Sequence, residues 1–220
     1  MRSAIETSQW AAEEFGEGLY GLTSFGAESA LLFDVLEKSG VEVDFITIDT
    51  GFRFPETQVF QEQLINRYKR GLEIYGPTKK DAEIVLKTEL WKSNIDEYHE
   101  ITKREPLRRA IAELGVTALF TGVRAGQTAN RATLRQVEPG KDGETRVHPL
   151  LGWSEEQANE YFVRHGLPRP PLFFRGYGSI GDWTTTEPGV GREGRELPNQ
   201  ECGLHVTNDG KLIRATPSRA

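Results

Sequence analysis

Cys202, in the stretch "NQECGLH", is the only cysteine in 220 residues. A single thiol cannot close an internal disulfide, nor supply the thiolates of a structural zinc or iron-sulfur site. Its neighbours Gln200, Glu201, Gly203 and His205 form no apolar face, so exposure is expected in place of burial as a small hydrophobe, and the thiol is either incidental or reactive. His99, His148 and His165 show no metal-ligand spacing, and no metal site is expected.

Three loops carry groups suited to holding a ligand. In "TSFGAES", Thr23, Ser24, Gly26 and Ser29 fall where a strand turns into a helix. Free backbone N–H groups and the helix dipole bind phosphate at such a turn, although small residues also serve an ordinary strand-to-helix connection. The spacing is neither the P-loop nor GxGxxG. In "DTGFRFPET", Asp49, Thr50 and Gly51 stand at the carboxyl end of a second strand, where open α/β sheets bind ligands and Asp49 can meet a ribose or base edge. The DTG triplet also occurs in aspartic proteases, but here a helix follows at once. In "VRAGQTANRATLRQ", Arg124, Arg131 and Arg135 follow a third strand; guanidinium forks suit phosphate or sulfate, and a solvated loop with scattered charge is the alternative.

The elements that must position these groups alternate. "GLYGLTSF", "VEVDFITID" and "LEIYG" read as strands, while "ESALLFDVLEKSG" and "PETQVFQEQLINRYKRG" read as helices. Further on, "REPLRRAIAELG" reads as a helix, "VTALFTGV" as a strand, and "SEEQANEYFVRHG" as a helix with Ala158, Tyr161 and Phe162 on one face. Pro55 suits a first helical position, Gly40 and Gly71 suit C-terminal caps, and Ser154 with Gln157 makes a capping box. The expected fold is α/β, a twisted, mostly parallel sheet with helices on both faces. Beyond about residue 166, glycine and proline are frequent and no period survives, which predicts loop or extended tail.

Hydrophobic residues make up 37% and charged ones 27%, with no apolar run long enough to span a bilayer. The N-terminal "MRSAIETSQWAAEEFGEG" has no apolar signal core, so a cytoplasmic location is the default. A net charge of -6 argues against a broad nucleic-acid surface and leaves room for a local basic pocket.

Taken in order, "TSFGAES", "DTGFRFPET", "REPLRRAI", "GVRAGQTANRA", "GYGSIGDWTTT" and "ECGLH" make the chain resemble the phosphoadenylyl-sulfate (PAPS) reductases, within the sulfonucleotide reductases and the wider PP-loop nucleotide-binding fold. The resemblance covers about residues 18–205. It implies a modified PP-loop at residues 23–29, Phe25 included, that holds the phosphosulfate end of the nucleotide. It places Asp49, Thr50 and Gly51 at the adenosine, Arg124, Gln127 and Arg131 in a basic substrate loop, and Gly176, Tyr177, Gly181 and Asp182 in a further active-site loop. Cys202 matches the nucleophile and His205 stands with it. The nucleotide-binding α/β domain is then residues 1–175, with residues 176–220 as its active-site loop and catalytic tail, and irregular residues 176–200 as the hinge.

The implied reaction is thiol-dependent reduction of PAPS to sulfite, with no bound cofactor and an external dithiol from thioredoxin or glutaredoxin. A homodimer is left open. Relatives that carry an iron-sulfur cluster have extra cysteine pairs, one near the segment matched by "ITKREPLRRAI"; this chain has none there, which goes with PAPS more than with adenylyl sulfate (APS). Asn199 and Gln200 stand where the family commonly has lysine or arginine, and Lys211 and Arg214 are candidates to supply that charge. Two further readings are a PP-loop ATP pyrophosphatase, which Phe25 in "SFG" argues against, and a silent nucleotide-binding protein, which Cys202 and His205 argue against.

Overall fold

The computed structural model describes residues 1–189. Cys202 and His205, with Asn199, Gln200, Lys211 and Arg214, lie outside the described residues.

A helix, α1 (Ala4–Phe15), precedes the elements expected from the sequence. Ser3 caps it: its hydroxyl accepts from the Glu6 amide at 3.2 Å, and the Glu6 carboxylate accepts from the Ser3 amide at 2.8 Å. The expected alternation follows: β1 (Leu19–Leu22), α2 (Ser29–Lys38), β2 (Phe45–Ile48), α3 (Pro55–Tyr68) and β3 (Leu72–Tyr75). Pro55 occupies the first turn of α3 as predicted, and the amide of Gly40, at φ +69°, closes the end of α2 on the Glu37 carbonyl. Gly71 does not cap α3. The helix ends at Tyr68 with Lys69 in the left-handed conformation, and Gly71 is instead pressed against Asp44, whose carboxylate accepts its amide at 3.0 Å and would lie 2.3 Å from any Cβ there.

Between β3 and the next strand the chain forms α4 (Lys79–Thr88), α5 (Leu90–Ser93), α6 (Ile95–His99), a π-helical turn (Glu100–Arg104) and α7 (Glu105–Leu114). Only the last of these was expected. After β4 (Ala118–Thr121) come the short strands β5 (Val137–Pro139) and β6 (Thr145–Val147), then α8 (Glu155–Arg164) with the predicted Ser154–Gln157 capping box.

Among the described residues the strands form one sheet in the order β3-β2-β1-β4-β6-β5, parallel except for the β5–β6 pair. Both faces are covered. Phe45, Ala118 and Phe120 face a core built with α1, α2, α3 and α8, while Ile46, Ile48 and Leu119 face Leu107, Ala110 and Ile111 of α7. That coverage is why β2 and β4 are buried along their whole length. α2 is buried nearly all round from Ala30 to Leu36, and Phe33 stacks on Phe45 with ring centres 3.8 Å apart. Gly21 leaves room for the Phe45 ring, which would lie 2.4 Å from a Cβ. β1 has β2 on one side and β4 on the other, so the connections leave in opposite directions there and open a crevice at their carboxyl ends.

Candidate active site

The loop after β1 enters this crevice. The Thr23 hydroxyl accepts from the Phe25 amide at 3.1 Å and donates to Ser29 Oγ at 3.2 Å, folding residues 23–29 into a tight turn. Ser24 is exposed and Gly26 half-buried at the lip. Phe25 runs the other way: at φ +52°, unusual for a bulky side chain, its ring is fully buried and packs on Phe33. It anchors the loop from below, and the strain of its backbone is held by that packing.

Across the crevice, the loop after β4 is tied to the start of α2 by a carboxylate. Glu28 accepts from Arg124 Nε at 3.0 Å, from Arg124 Nη2, and from Gln127 Nε2 at 2.7 Å. Gln127 Oε1 in turn accepts from the Arg124 amide at 3.1 Å and from Arg131 Nη1. The Arg124 side chain is only 4% exposed and Glu28 24%, so the carboxylate stands between the guanidinium and solvent. Arg124, Gln127 and Arg131 are thus brought together as expected, and Arg135 is exposed apart from them.

The loop after β2 forms the third wall. Asp49 Oδ1 accepts from the Gly51 amide at 3.0 Å and pairs with Arg53 at 3.5 Å. Gly51 takes φ +79°, a conformation open to glycine at little cost. Thr50 is buried, and its hydroxyl donates to Asp182 Oδ1 at 2.6 Å. Asp182 lies in the loop of residues 176–189, whose ends are closed by the Gly189 amide on the Gly176 carbonyl at 2.8 Å. In that loop Tyr177 packs edge-on against Phe54, Gly176 sits at φ +86°, and Gly181 is half-buried beside Asp182.

The phosphoadenosine phosphosulfate reductase domain model matches residues 19–188, all three walls included. The chain belongs to that family. A phosphoadenosine 5'-phosphosulfate reductase of Synechococcus is 36% identical over 219 residues, covering 93% of each chain, and one of Xylella fastidiosa is 36% identical over 205, covering 89% of this chain and 86% of its own. Among solved structures, the PAPS reductase of Candida auris in a phosphate complex superposes with a TM-score of 0.73 at 33% identity, covering 84% of this chain and 91% of that one. The FMN adenylyltransferase of Candida glabrata, at 17% identity and a TM-score of 0.64, shares the fold.

Tyr98, Lys103 and Arg169 stand outside the family motifs, and Glu28, although it stands within "TSFGAES", was not among the expected site residues. The Arg169 guanidinium lies 3.7 Å over the Phe162 ring and 4.2 Å over Phe173, and burial lowers its pKa. Tyr98 and Lys103 reach Asp182 from below, at 2.9 and 2.8 Å. Burial alone would raise the Asp182 pKa; the Lys103 ammonium and the hydroxyl donors outweigh it and hold the carboxyl below its usual range. Next to Tyr98, His99 is buried with no partner for Nδ1, and burial together with Lys103 pulls its pKa down to about 3. On the other flank, buried His148 meets Thr121 Oγ1 at 2.6 Å and Glu138 at 3.4 Å, a structural tie between β4, β5 and β6. Among the described residues no group of three or more histidine, cysteine, aspartate and glutamate side chains is arranged to hold a metal ion, and no helix is long and apolar enough to cross a membrane.

Proposed function

We propose that this family member reduces 3'-phosphoadenylyl sulfate to sulfite and adenosine 3',5'-bisphosphate, using Cys202 as nucleophile. The observation that carries the reading is the convergence of Arg124 and Gln127 on Glu28 of the 23–29 loop, with Arg131 bonded to Gln127, across the β1/β4 switch point. Cationic and amide donors there suit a phosphosulfate, with Asp49, Thr50 and Gly51 toward the adenosine. In this reading residues 1–175 hold the nucleotide and residues 176–220 complete the site.

The Cys202 thiolate attacks the sulfonate sulfur, the sulfur–oxygen bond to the nucleotide phosphate breaks, and adenosine 3',5'-bisphosphate leaves with that electron pair. An S-sulfocysteine remains. A dithiol of thioredoxin or glutaredoxin then attacks the Cys202 sulfur and sulfite departs; the second thiol closes the carrier's disulfide and returns Cys202 as a thiol. Free cysteine titrates at about 8.5, so cations around the bound anion favour the thiolate and stabilise the leaving phosphate. A reaction supplied with a reduced dithiol belongs in the cytoplasm.

Incubation with PAPS in the absence of reductant tests the mechanism. Mass spectrometry of the chain is expected to show one sulfonate on Cys202; an unmodified cysteine beside intact, bound nucleotide would overturn it.

A further inference from the structure

One carboxylate gathers donors from two separated parts of the chain, the loop after β2 and the continuous helical stretch of α6 and its π-helical turn. Asp182 Oδ1 accepts from Thr50 in the loop after β2 at 2.6 Å, and Oδ2 accepts from Tyr98 of α6 at 2.9 Å and from Lys103 Nζ at 2.8 Å. Asp182 is 3% exposed and Lys103 6%, a degree of burial that lysine seldom reaches unpaired. Lys103 belongs to the π-helical turn between α6 and α7. Such turns shift the facing of the side chains they carry and recur at functional sites. Its sequence neighbour Arg104 pairs outward with Glu100, whereas Lys103 is aimed inward.

The loop that carries Asp182 is held at base and tip. At its base, Gly189 and Tyr177 form a parallel bridge, and the Gly178 amide donates to the Gly189 carbonyl at 3.1 Å. At its tip, Asp182 bridges Arg53 in antiparallel fashion and the Trp183 amide donates to the Phe52 carbonyl at 2.9 Å. The carbonyl of Ile180 in the same loop lies 3.5 Å from where a Gly26 Cβ would stand. One loop therefore touches both the 23–29 loop and the loop after β2.

We propose that Lys103 and Asp182 form a positioning latch that sets residues 176–189 against both walls of the crevice, and that Asp182 acts there as a positioning residue and not as a ligand of the nucleotide. Both of its oxygens already have protein donors. If the pair served stability alone, well-packed apolar residues would do as well or better, because desolvating two charges offsets most of their attraction. What an ion pair with two directional hydroxyl bonds adds is a single arrangement of the loop. The inference rests on the reductase reading given above.

The test compares Asp182→Asn, Tyr98→Phe and the double variant Lys103→Met/Asp182→Leu in the full chain, reading kcat, KM, melting temperature and binding of adenosine 3',5'-bisphosphate by calorimetry. For a latch, Asp182→Asn lowers kcat about 100-fold, the effect expected of a displacement near 1 Å, while nucleotide Kd changes less than about threefold. Tyr98→Phe, which removes one donor and leaves the ion pair, lowers kcat about tenfold with little change in KM. The double variant remains at least about 30-fold down in kcat even where its melting temperature returns to that of the wild type. Wild-type kcat in a thermally restored double variant would reduce the pair to packing, and a loss of about tenfold or more in nucleotide affinity in Asp182→Asn would make Asp182 a ligand; either overturns the proposal. Should the double variant fold poorly, Tyr98→Phe decides: wild-type kcat there overturns the latch. Amide hydrogen exchange at Trp183 reads the latch without turnover, faster in Asp182→Asn if the loop is released and unchanged if it is not. A wild-type chain that exchanges slowly at Trp183 but does not reduce PAPS fails the reductase reading alone.

Discussion

Two acidic residues tie loops together across the carboxyl edge of the sheet, and they do so in opposite surroundings. Glu28 bonds Arg124 and Gln127 with a quarter of its side chain open to solvent, at the start of a helix. Asp182 bonds Lys103, Tyr98 and Thr50 in a fully enclosed setting. Glu28 is the partly open member of its pair with buried Arg124, so in the proposed reading an incoming anion can reach the cations and compete with the carboxylate for them. A closed pair cannot be opened without stranding a charge. On the proposed reading, the contrast separates an adjustable tie that serves anion binding from a fixed one that serves shape.

The largest effect that tests the contrast is on stability. Lys103→Met, which leaves Asp182 charged and buried, is expected to cost about 3–5 kcal/mol in denaturant unfolding, against about 1–2 kcal/mol for Glu28→Gln, whose amide oxygen still accepts from the buried Arg124 guanidinium. Equal losses would erase the distinction.

A smaller effect concerns affinity. Glu28→Gln removes the negative charge from the cation cluster and is expected to tighten adenosine 3',5'-bisphosphate by roughly fivefold, the scale of one charge at close range in a solvated site. Calorimetry at two salt concentrations checks this, since the gain fades as salt rises. Weaker binding would make Glu28 a fixed scaffold like Asp182.

The smallest is a slope with pH. His99 beside the closed tie titrates near 3 when folded, below the 6.5 of a free imidazole, so the unfolded chain takes up a proton that the folded one does not. Stability therefore falls as pH drops from about 6.5 toward 3. Asp182, whose pKa is held down, adds stability above the carboxylate range that is lost only as pH falls through its folded value. His99→Leu is expected to flatten the melting-temperature profile between about pH 6.5 and 4, with the steeper acid fall retained. An unchanged slope would place the acid sensitivity elsewhere.

Much of the frame was legible because it rests on local rules. Alternating strands and helices, Pro55 at the start of α3 and the Ser154–Gln157 box all depend on residues a few positions apart. The loops holding Thr23, Asp49 and Arg124 were legible for the same reason, since each follows a strand that reads as one. Gly71 misled because a glycine after a helix resembles a cap, and its true constraint, Asp44, sits 27 residues earlier. α4 buries only Val85 fully, and α5 and α6, at 4 and 5 residues, are too short to show a helical period. Neither tie was readable: Arg124 lies 96 residues from Glu28 and Tyr98 lies 84 from Asp182, and a π-helical turn has no signature in a 3.6-residue period. Motif resemblance marked Asp182 as belonging to the site, and its burial shows the partners that the motif leaves out.

The measurement closest to the central claim is sulfite release from PAPS and from APS, side by side, with reduced thioredoxin, in the wild type and in Cys202→Ser. The account predicts rapid sulfite from PAPS, at least about 100-fold lower kcat/KM for APS, and none from the variant with either substrate. Sulfite formed equally well from APS, or at an undiminished rate by Cys202→Ser, would contradict it.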